Sequence, residues 1–274
     1  DVCSSDLGFW KPHAQFNAPQ KYWDLYQRDE LPVLDGRRPE GAVQAAFHES
    51  TEVLGPVAQQ KVPSAAQAAE MRHGYFANIS YLDAQVGKVL GALESSGLAD
   101  RTIVVFLSDH GYQVGEHGLW GKTSNFEYDA RVPLLIRSPV QQSGPGETSS
   151  LVELIDVFPT LAELCGLPQP AGLEGVSLVP VLRDGGMRVK AAARTQHPRP
   201  AYYDRTPAGE PQLMGYSVRT ESARYTEWRD WKTGVVQGRE LYLESDEPGE
   251  LRNVVGDAAA ADVLRECERL LRQD

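Results

Sequence analysis

Asp109 and His110 are adjacent residues with ligating side chains, separated only by Ser108 from an apolar run that ends at Leu107. A carboxylate beside an imidazole can bind a divalent metal ion, or can act as a base together with the group that orients it. The aspartate could equally cap a turn by accepting hydrogen bonds from backbone N–H groups. The residue types alone leave both interpretations open.

Lys122 follows thirteen positions later, in a glycine-rich segment beside Trp120. A lysine near a metal site suits an anionic substrate such as a sulfate or a phosphate, because its ammonium group is a flexible point charge. The alternative is a solvated loop lysine. Glu116 and His117, which lie between, are interpreted as supporting or structural residues. His13, taken alone, is interpreted as a surface or packed histidine.

The elements that must position these residues belong to an α/β fold. Residues 102–107 are rich in β-branched side chains and predict a strand buried on both faces, as in a parallel sheet. Polar residues past the carboxyl end of such a strand lie where open α/β sheets place their sites. Residues 132–136 predict the next strand. Residues 64–97 predict an amphipathic helix capped by Ser64 and ended by Gly97, which together with the strand indicates a layered fold.

The second half of the chain predicts a smaller structure. Strands are expected at residues 201–203, 215–220, 223–228 and 240–243, with the second and third forming a hairpin. Residues 258–272 predict a helix with one apolar face. We therefore expect residues 186–274 to form a small α+β subdomain. Residues 8–185 are expected to be part of a larger α/β domain, and residues 1–7 a non-native junction.

Composition excludes several functional classes. The chain has 274 residues, 41% of them hydrophobic, and a net charge of −11, so nucleic acid is not expected as a partner. No apolar run approaches the length of a membrane span. The three cysteines, Cys3, Cys165 and Cys267, show neither metal-ligand spacing nor a disulfide framework.

Several short motifs, taken in order, resemble those of the sulfatase family of the alkaline phosphatase superfamily. They are GFWKPH at 8–13, YFANISYLD at 75–83, FLSDHG at 106–111, GEHG at 115–118, WGK at 120–122, VPL at 132–134, DVFPTL at 156–161 and ELY at 240–242. The segments MGYSVRT at 214–220 and RYT at 224–226 resemble the iduronate 2-sulfatase branch of that family. The resemblance covers essentially everything after residue 7.

The resemblance implies a metal-dependent sulfate ester hydrolase, with an alkaline-phosphatase-like mixed or parallel sheet between helical layers. It implies that Asp109 and His110 bind the metal ion, which would be calcium. Calcium prefers oxygen ligands, however, so the imidazole leaves the identity of the divalent metal open. Lys122 and His13 would contact the sulfate and the leaving-group oxygen, with His13 serving in proton transfer.

The same resemblance suggests two substrate contacts and a substrate class. Arg199 matches an arginine-bearing turn that would touch an acidic sugar, and Tyr112 would lie at the rim of the pocket. The expected partner is a sulfated small molecule or glycan. The parent protein would be periplasmic, secreted or lysosomal.

The nucleophile of the family has no counterpart in the sequence. That nucleophile is a formylglycine made from Cys or Ser in a C/S-x-P-x-R motif, and residues 3–7, CSSDL, lack both the Pro and the Arg. The paired aspartates of the first strand, and the Lys and His that follow the nucleophile, are also without counterpart. Covalent catalysis requires an activated nucleophile at the metal. We therefore expect a C-terminal portion of a sulfatase that is inactive alone.

Two alternatives stay open. A phosphoesterase or phosphonate hydrolase of the same superfamily would also carry an Asp-His pair, although Lys122 and the iduronate-type second half favour sulfate. A non-catalytic module that binds sulfated glycans would need no metal, and its binding would not depend on Asp109.

Overall fold

The computed structural model describes residues 5–32, 34, 36–48, 52–53, 62–139, 146–201, 209–245 and 249–273. The chain forms two compact units, which are described separately. The first comprises Asp1–Gly36, Glu49–Thr102 and Tyr112–Gly121, and the second comprises Arg37–His48, Ile103–Gly111 and Lys122–Asp274. The predicted boundary near residue 185 falls inside the second unit and stays a prediction. Cys3 and most of the predicted junction at 1–7 lie outside the described residues.

The described elements follow one another along the chain. The helices are α1 (Gln20–Trp23), α2 (Ala65–Ser95), α3 (Glu127–Ala130), α4 (Val157–Leu164), α5 (Val179–Arg183) and α6 (Ala261–Leu271). The strands are β1 (Val104–Leu107), β2 (Gln113–Val114), β3 (Trp120–Gly121), β4 (Leu134–Arg137), β5 (Ala193–Arg199), β6 (Leu213–Arg219), β7 (Ala223–Asp230) and β8 (Val236–Leu243). Short 3₁₀ turns occur at Gln44–Ala46, Ala99–Arg101, Glu116–Gly118, Leu154–Asp156 and Ala258–Ala260. None of these helices is long and apolar enough to cross a membrane.

Helix α2 dominates the first unit and begins where the sequence predicts. Ser64 forms a capping box with Gln67: each residue's side chain accepts a hydrogen bond from the other's backbone N–H. The helix ends at Ser95, and Gly97 follows with a φ of 69°. The predicted start and end of this helix are therefore confirmed to within two residues.

Helix α2 packs closely against the start of the chain. The Nε2–H group of His73 donates to the carbonyl of Trp23 at 2.9 Å, and the two rings stack with centroids 4.2 Å apart. A β-carbon at Gly74 would lie 2.7 Å from the main-chain oxygen of Phe16. A glycine is thus needed at this point of α2 for the chain to approach.

Strands β1 and β4 of the second unit correct one prediction. They pair antiparallel, with Val104 opposite Arg137, and Leu107 is 41% exposed. The expectation of a parallel-type strand buried on both faces is therefore wrong for β1. A run of β-branched residues favours a strand, but the direction of pairing depends on the path of the connection, which the apolar run does not encode. The larger mixed sheet stays a prediction.

The predicted small antiparallel sheet with a terminal helix is confirmed. The sheet has the order β5-β6-β7-β8, and α6 buries its apolar side against it. The shared core contains Val218, Tyr225, Leu241, Cys267 and Leu270. Burial of this apolar cluster stabilises the packing of α6 on the sheet, by roughly 25 cal/mol for each Å² of apolar surface removed from water.

The first strand of this sheet lies earlier in the chain than the sequence predicts. The strand expected at residues 201–203 falls largely on Tyr202 and Tyr203, which lie outside the described residues. The observed strand is β5, which ends just before the Arg199–Pro200 bond and contains Pro198. Proline is tolerated there because β5 is the outer strand in the order of the sheet.

Candidate active site

Asp109 and His110 follow β1 after the single residue Ser108, and both belong to the second unit. The Nδ1–H group of His110 donates to the carbonyl of Gly111 at 2.7 Å, and Ser108 Oγ donates to the carbonyl of His110 at 2.7 Å. His110 Nε2 lies 3.7 Å from Asp109 Oδ2, and the Asp109 side chain is 86% exposed. A donor bond at Nδ1 leaves Nε2 as the nitrogen available to a ligand.

The residue after this pair must be glycine. The Gly111 N–H group donates to the main-chain oxygen of Asp129 at 2.8 Å. A β-carbon at Gly111 would overlap the main-chain oxygen of Tyr128. The turn that carries Asp109 and His110 is therefore pressed against α3.

Lys122 belongs to the same unit and is 8% exposed. The next residue, Thr123, has a φ of 85°. Ser124 then donates to Asp129 Oδ2 from both its backbone N–H, at 2.9 Å, and its hydroxyl, at 2.5 Å. The Asn125 amide donates to the carbonyl of Gly215 in β6 at 3.2 Å. The Lys122 segment is thus anchored to α3 and to the small sheet.

Helix α3 is itself held by a buried network of charges. Glu127 pairs with Arg224 and with Arg219, and its backbone N–H donates to Glu250 at 2.7 Å. Arg224 Nε also donates to Glu250 at 2.7 Å. Burial acts to raise the pKa of Glu127, but Arg224 and Arg219 together hold it below its ordinary value. The carboxylate is therefore charged at neutral pH and fixes α3 to β6 and β7.

Arg199 lies in the second unit and is only 7% exposed. Its Nε donates to the carbonyl of Ala45 at 2.7 Å, and Nη2 donates to the carbonyl of Ala46 at 2.9 Å. The guanidinium group also lies over the ring of Trp228, 5.0 Å from its centroid. These contacts make Arg199 a positioning residue for the 3₁₀ turn at Gln44–Ala46. Its predicted contact with a substrate stays a prediction.

Two histidines near Arg199, the buried His48 and the partly buried His197, were not predicted from the sequence. Burial lowers the pKa of His48 to about 4, helped by the charges of Arg199 and His197. Burial likewise lowers the pKa of His197 to about 4, helped by Arg199 and His110. His197 lies two residues before Arg199 in the QHPRP segment, so its position near Arg199 could have been predicted from the sequence. Nothing in the sequence marked His48.

His13 lies in the first unit, in a contact that the sequence did not indicate. Its Nδ1–H group donates to the carbonyl of Ala14 at 2.5 Å, and its Nε2 lies 3.1 Å from Glu52 Oε1. The ring of Trp10 lies against the imidazole, with centroids 4.6 Å apart. Glu52 thus orients the imidazole, a function that a carboxylate serves in many acid–base pairs.

Tyr112 also lies in the first unit, packed among aromatic rings. Its ring stacks on Tyr75 at 5.8 Å and meets Phe16 edge-on at 5.9 Å. Its predicted place at a pocket rim stays a prediction.

The GEHG turn between β2 and β3 is held by local hydrogen bonds. Glu116 accepts a hydrogen bond from the Val114 N–H group at 2.7 Å, and His117 Nδ1 lies 3.1 Å from Gln113 Oε1. His117 has a φ of 53°, a conformation supported by these bonds. The structural interpretation of Glu116 and His117 is therefore supported.

The donors present fit part of a divalent metal site. Asp109 offers an exposed carboxylate, and His110 offers Nε2 at the same end of β1. Among the described residues no group of three or more His, Cys, Asp or Glu side chains could hold a metal ion. Hard divalent ions take six or more oxygen ligands, so two donors supply only a portion of the set.

Comparison with known proteins identifies the family. The sulfatase family model matches residues 7–167, and the model of the N-sulphoglucosamine sulphohydrolase C-terminal region matches residues 115–274. The chain belongs to the sulfatase family. It is 31% identical to iduronate 2-sulfatase of Mus musculus, covering 94% of this chain and 58% of the relative. It is 33% identical to choline-sulfatase of Rhizobium meliloti (strain 1021), covering 90% of this chain and 45% of the relative.

Solved structures agree on the fold. The phosphonate monoester hydrolase of Agrobacterium radiobacter matches with a TM-score of 0.78 and 25% identity, over 95% of this chain and 54% of that chain. A second structure, in complex with its substrate D-glucosamine-2-N,6-O-disulfate, matches with a TM-score of 0.65 and 28% identity, over 75% of this chain and 40% of that chain. The chain thus spans between 40% and 58% of the length of these four relatives.

Proposed function

We propose that this chain is the C-terminal portion of a metal-dependent sulfate ester hydrolase similar to iduronate 2-sulfatase. The observation that carries the proposal is the arrangement of Asp109, His110 and Lys122 in one unit, with both segments bound to α3. Membership of the sulfatase family supports it. The predicted substrate is a sulfated small molecule or glycan, in keeping with the sulfated glucosamine bound by one structural relative.

Asp109 and His110 would supply two ligands of the divalent metal, for which calcium is our proposal. When bound, such an ion withdraws electron density from the ester oxygens and so assists attack at sulfur. The bond from His110 Nδ1 to the carbonyl of Gly111 leaves Nε2 for ligation and fixes the ring. This orientation belongs to the chain itself and does not depend on the ion.

Lys122 and His13 would act on the ester. Lys122 is buried as a residue, and a charge in such surroundings attracts a sulfate oxygen more strongly than one at the surface. His13 would hold or deliver a proton at the leaving-group oxygen through Nε2, in place of the contact that this nitrogen makes with Glu52, while Nδ1 stays bound to the carbonyl of Ala14. Arg199 and Tyr112 would support substrate binding.

The nucleophile would come from outside this sequence, since C/S-x-P-x-R does not occur in it. We propose that residues 1–274 alone do not turn over sulfate esters. The parent protein is proposed to be periplasmic, secreted or lysosomal.

A second candidate is hydrolysis of phosphonate monoesters. The match over 95% of this chain to a phosphonate monoester hydrolase favours it. Phosphonate and sulfate esters share tetrahedral geometry and negative charge, so the same lysine and metal ligands would serve either.

The experiment is an ester hydrolysis assay on two proteins. One is the 274-residue chain, and the other is the product of the complete open reading frame that contains it, made in a host that forms formylglycine. We expect the second protein to release p-nitrophenol from p-nitrophenyl sulfate faster than from p-nitrophenyl phenylphosphonate, and the first to release none from either. Preference for the phosphonate ester would select the second candidate, and metal-independent glycan binding without turnover would reject both.

A further inference from the structure

We infer that Asp129 is a positioning residue that joins the turn carrying Asp109 and His110 to the segment carrying Lys122. The inference rests on the proposed function, since it concerns the same site. It names a residue that sequence reasoning did not select.

The main chain of Asp129 makes the first connection. Its carbonyl accepts the N–H group of Gly111 at 2.8 Å, immediately after His110. The preceding carbonyl, that of Tyr128, occupies the space where a β-carbon of Gly111 would lie. The Asp109–His110 turn is therefore in contact with two consecutive peptide groups of α3.

The side chain of Asp129 makes the second connection. One oxygen, Oδ2, accepts both the backbone N–H group and the hydroxyl of Ser124, at 2.9 and 2.5 Å. Asp129 is 5% exposed and Ser124 is 1% exposed. Hydrogen bonds accepted by an ionised carboxylate are about twice as strong as neutral ones, so two such bonds on one oxygen hold Ser124 firmly.

The backbone conformation of Thr123 explains why the hydrogen bonds from Ser124 to Asp129 are needed. Thr123 separates Lys122 from Ser124 and has a φ of 85°. A β-branched residue disfavours this conformation, which persists only when surrounding bonds enforce it. Release of Ser124 from Asp129 would let Thr123 relax and Lys122 move with it.

Asp129 also stands on a rigid support. Two residues before it, Glu127 is paired with Arg224, and Arg224 is paired with Glu250. These ion pairs fix α3 to the small sheet. Asp129 therefore holds both the Asp109–His110 turn and the Lys122 segment in place relative to that sheet. Its carbonyl holds the first segment and its side chain holds the second, so a side-chain substitution should disturb the Lys122 segment more than the Asp109–His110 turn.

The test is the acetylation rate of individual lysines in the folded 274-residue chain, measured by mass spectrometry with N-hydroxysulfosuccinimide acetate. Lys88 is exposed on α2 and serves as the reference for reagent activity. In Asp129→Ala we expect the rate at Lys122 to rise about tenfold or more, because the lost charge-assisted bonds had opposed local opening. In Ser124→Ala, which keeps the backbone N–H bond, a smaller rise is expected.

A matched control uses another buried aspartate. Asp156 is fully buried, lies 2.8 Å from Lys190 Nζ and accepts the N–H groups of Glu153 and Val176. Asp156→Ala should raise the rate at Lys190 and leave Lys122 unchanged, the reverse of Asp129→Ala.

Two results would overturn the inference. One is an unchanged rate at Lys122 in Asp129→Ala. The other is an equal rise at Lys122 and Lys190 in that variant, which would indicate general unfolding. Neither result depends on ester hydrolysis, so failure of the proposed function in the turnover assay would be distinguishable from failure of this inference.

Discussion

The guanidinium group of Arg199 lies 5.0 Å from the ring centroid of Trp228, on the small antiparallel sheet. The ring reaches this place because the facing residue on β6 is Gly215, where a β-carbon would lie 2.7 Å from the indole. A buried arginine between an aromatic ring and two backbone carbonyls exploits the planar, multiply donating shape of its guanidinium. A lysine cannot reproduce that shape.

We expect Arg199→Lys to lower the free energy of unfolding by about 2 kcal/mol, because the stacking and one of the bonds to Ala45 and Ala46 are lost. Urea denaturation of the chain measures this. The control is Arg269→Lys on α6, where the arginine pairs with Glu266 at the surface and the denaturation midpoint should stay close to that of the wild type. Equal effects in the two variants would show that the bonds made by Arg199 do not stabilise the fold.

Acid should destabilise the second unit through His48 and His197. The pKa of each histidine is lowered from 6.5 to about 4 in the folded chain. Between pH 4 and pH 6.5 the unfolded chain therefore binds more protons than the folded chain. Stability attributable to the pair is therefore fully present above pH 6.5 and is lost as pH falls towards 4, with an upper limit on the order of 3 kcal/mol per histidine.

Denaturation midpoints at pH 7, 5.5 and 4.5 test this expectation. His197→Gln should reduce the loss between pH 7 and 4.5, since glutamine does not titrate. A double variant, His48→Gln with His197→Gln, should reduce it further. If the variants lose as much stability as the wild type over this interval, other groups cause the acid sensitivity.

Gly111 offers a test of the contact between the Asp109–His110 turn and α3. Gly111→Ala should destabilise the second unit by about 3 kcal/mol or more, because the added carbon overlaps the carbonyl of Tyr128 and must displace α3. Thermal unfolding followed by circular dichroism measures the change. Gly87→Ala is the control: Gly87 lies within α2 and a β-carbon there would meet open space, so alanine should stabilise by about 0.5–1 kcal/mol. A stable Gly111→Ala variant would contradict the packing of this turn against α3.

Local signals in the sequence predicted several elements well. The cap of α2 and the hairpin of β6 and β7 follow from neighbouring residues, so Ser64 and the segment 220–222 were sufficient to place them. The apolar face of α6 follows from helical spacing alone. These features depend on interactions within a few residues of chain.

Features that depend on distant contacts were not predictable. The antiparallel pairing of β1 with β4 is set by the path of residues 108–133, and the burial of Arg199 is set by carbonyl groups about 150 positions away. Glu52 and His13 are likewise brought together by folding alone. Motif matching selected the candidate residues, but the hydrogen bonds that hold Asp109, His110 and Lys122 required the structure.

The most direct test of the account is kcat/KM for p-nitrophenyl sulfate in the product of the complete open reading frame, compared with its Asp109→Ala and Lys122→Ala variants. Arg131→Lys, an exposed substitution on the same unit, is the control and should match the wild type. We predict that each site variant loses at least about a hundredfold while remaining folded, because Asp109→Ala removes a proposed metal ligand and Lys122→Ala removes a charge that acts on the ester. Folded site variants that retain wild-type turnover would contradict the assignment of this site.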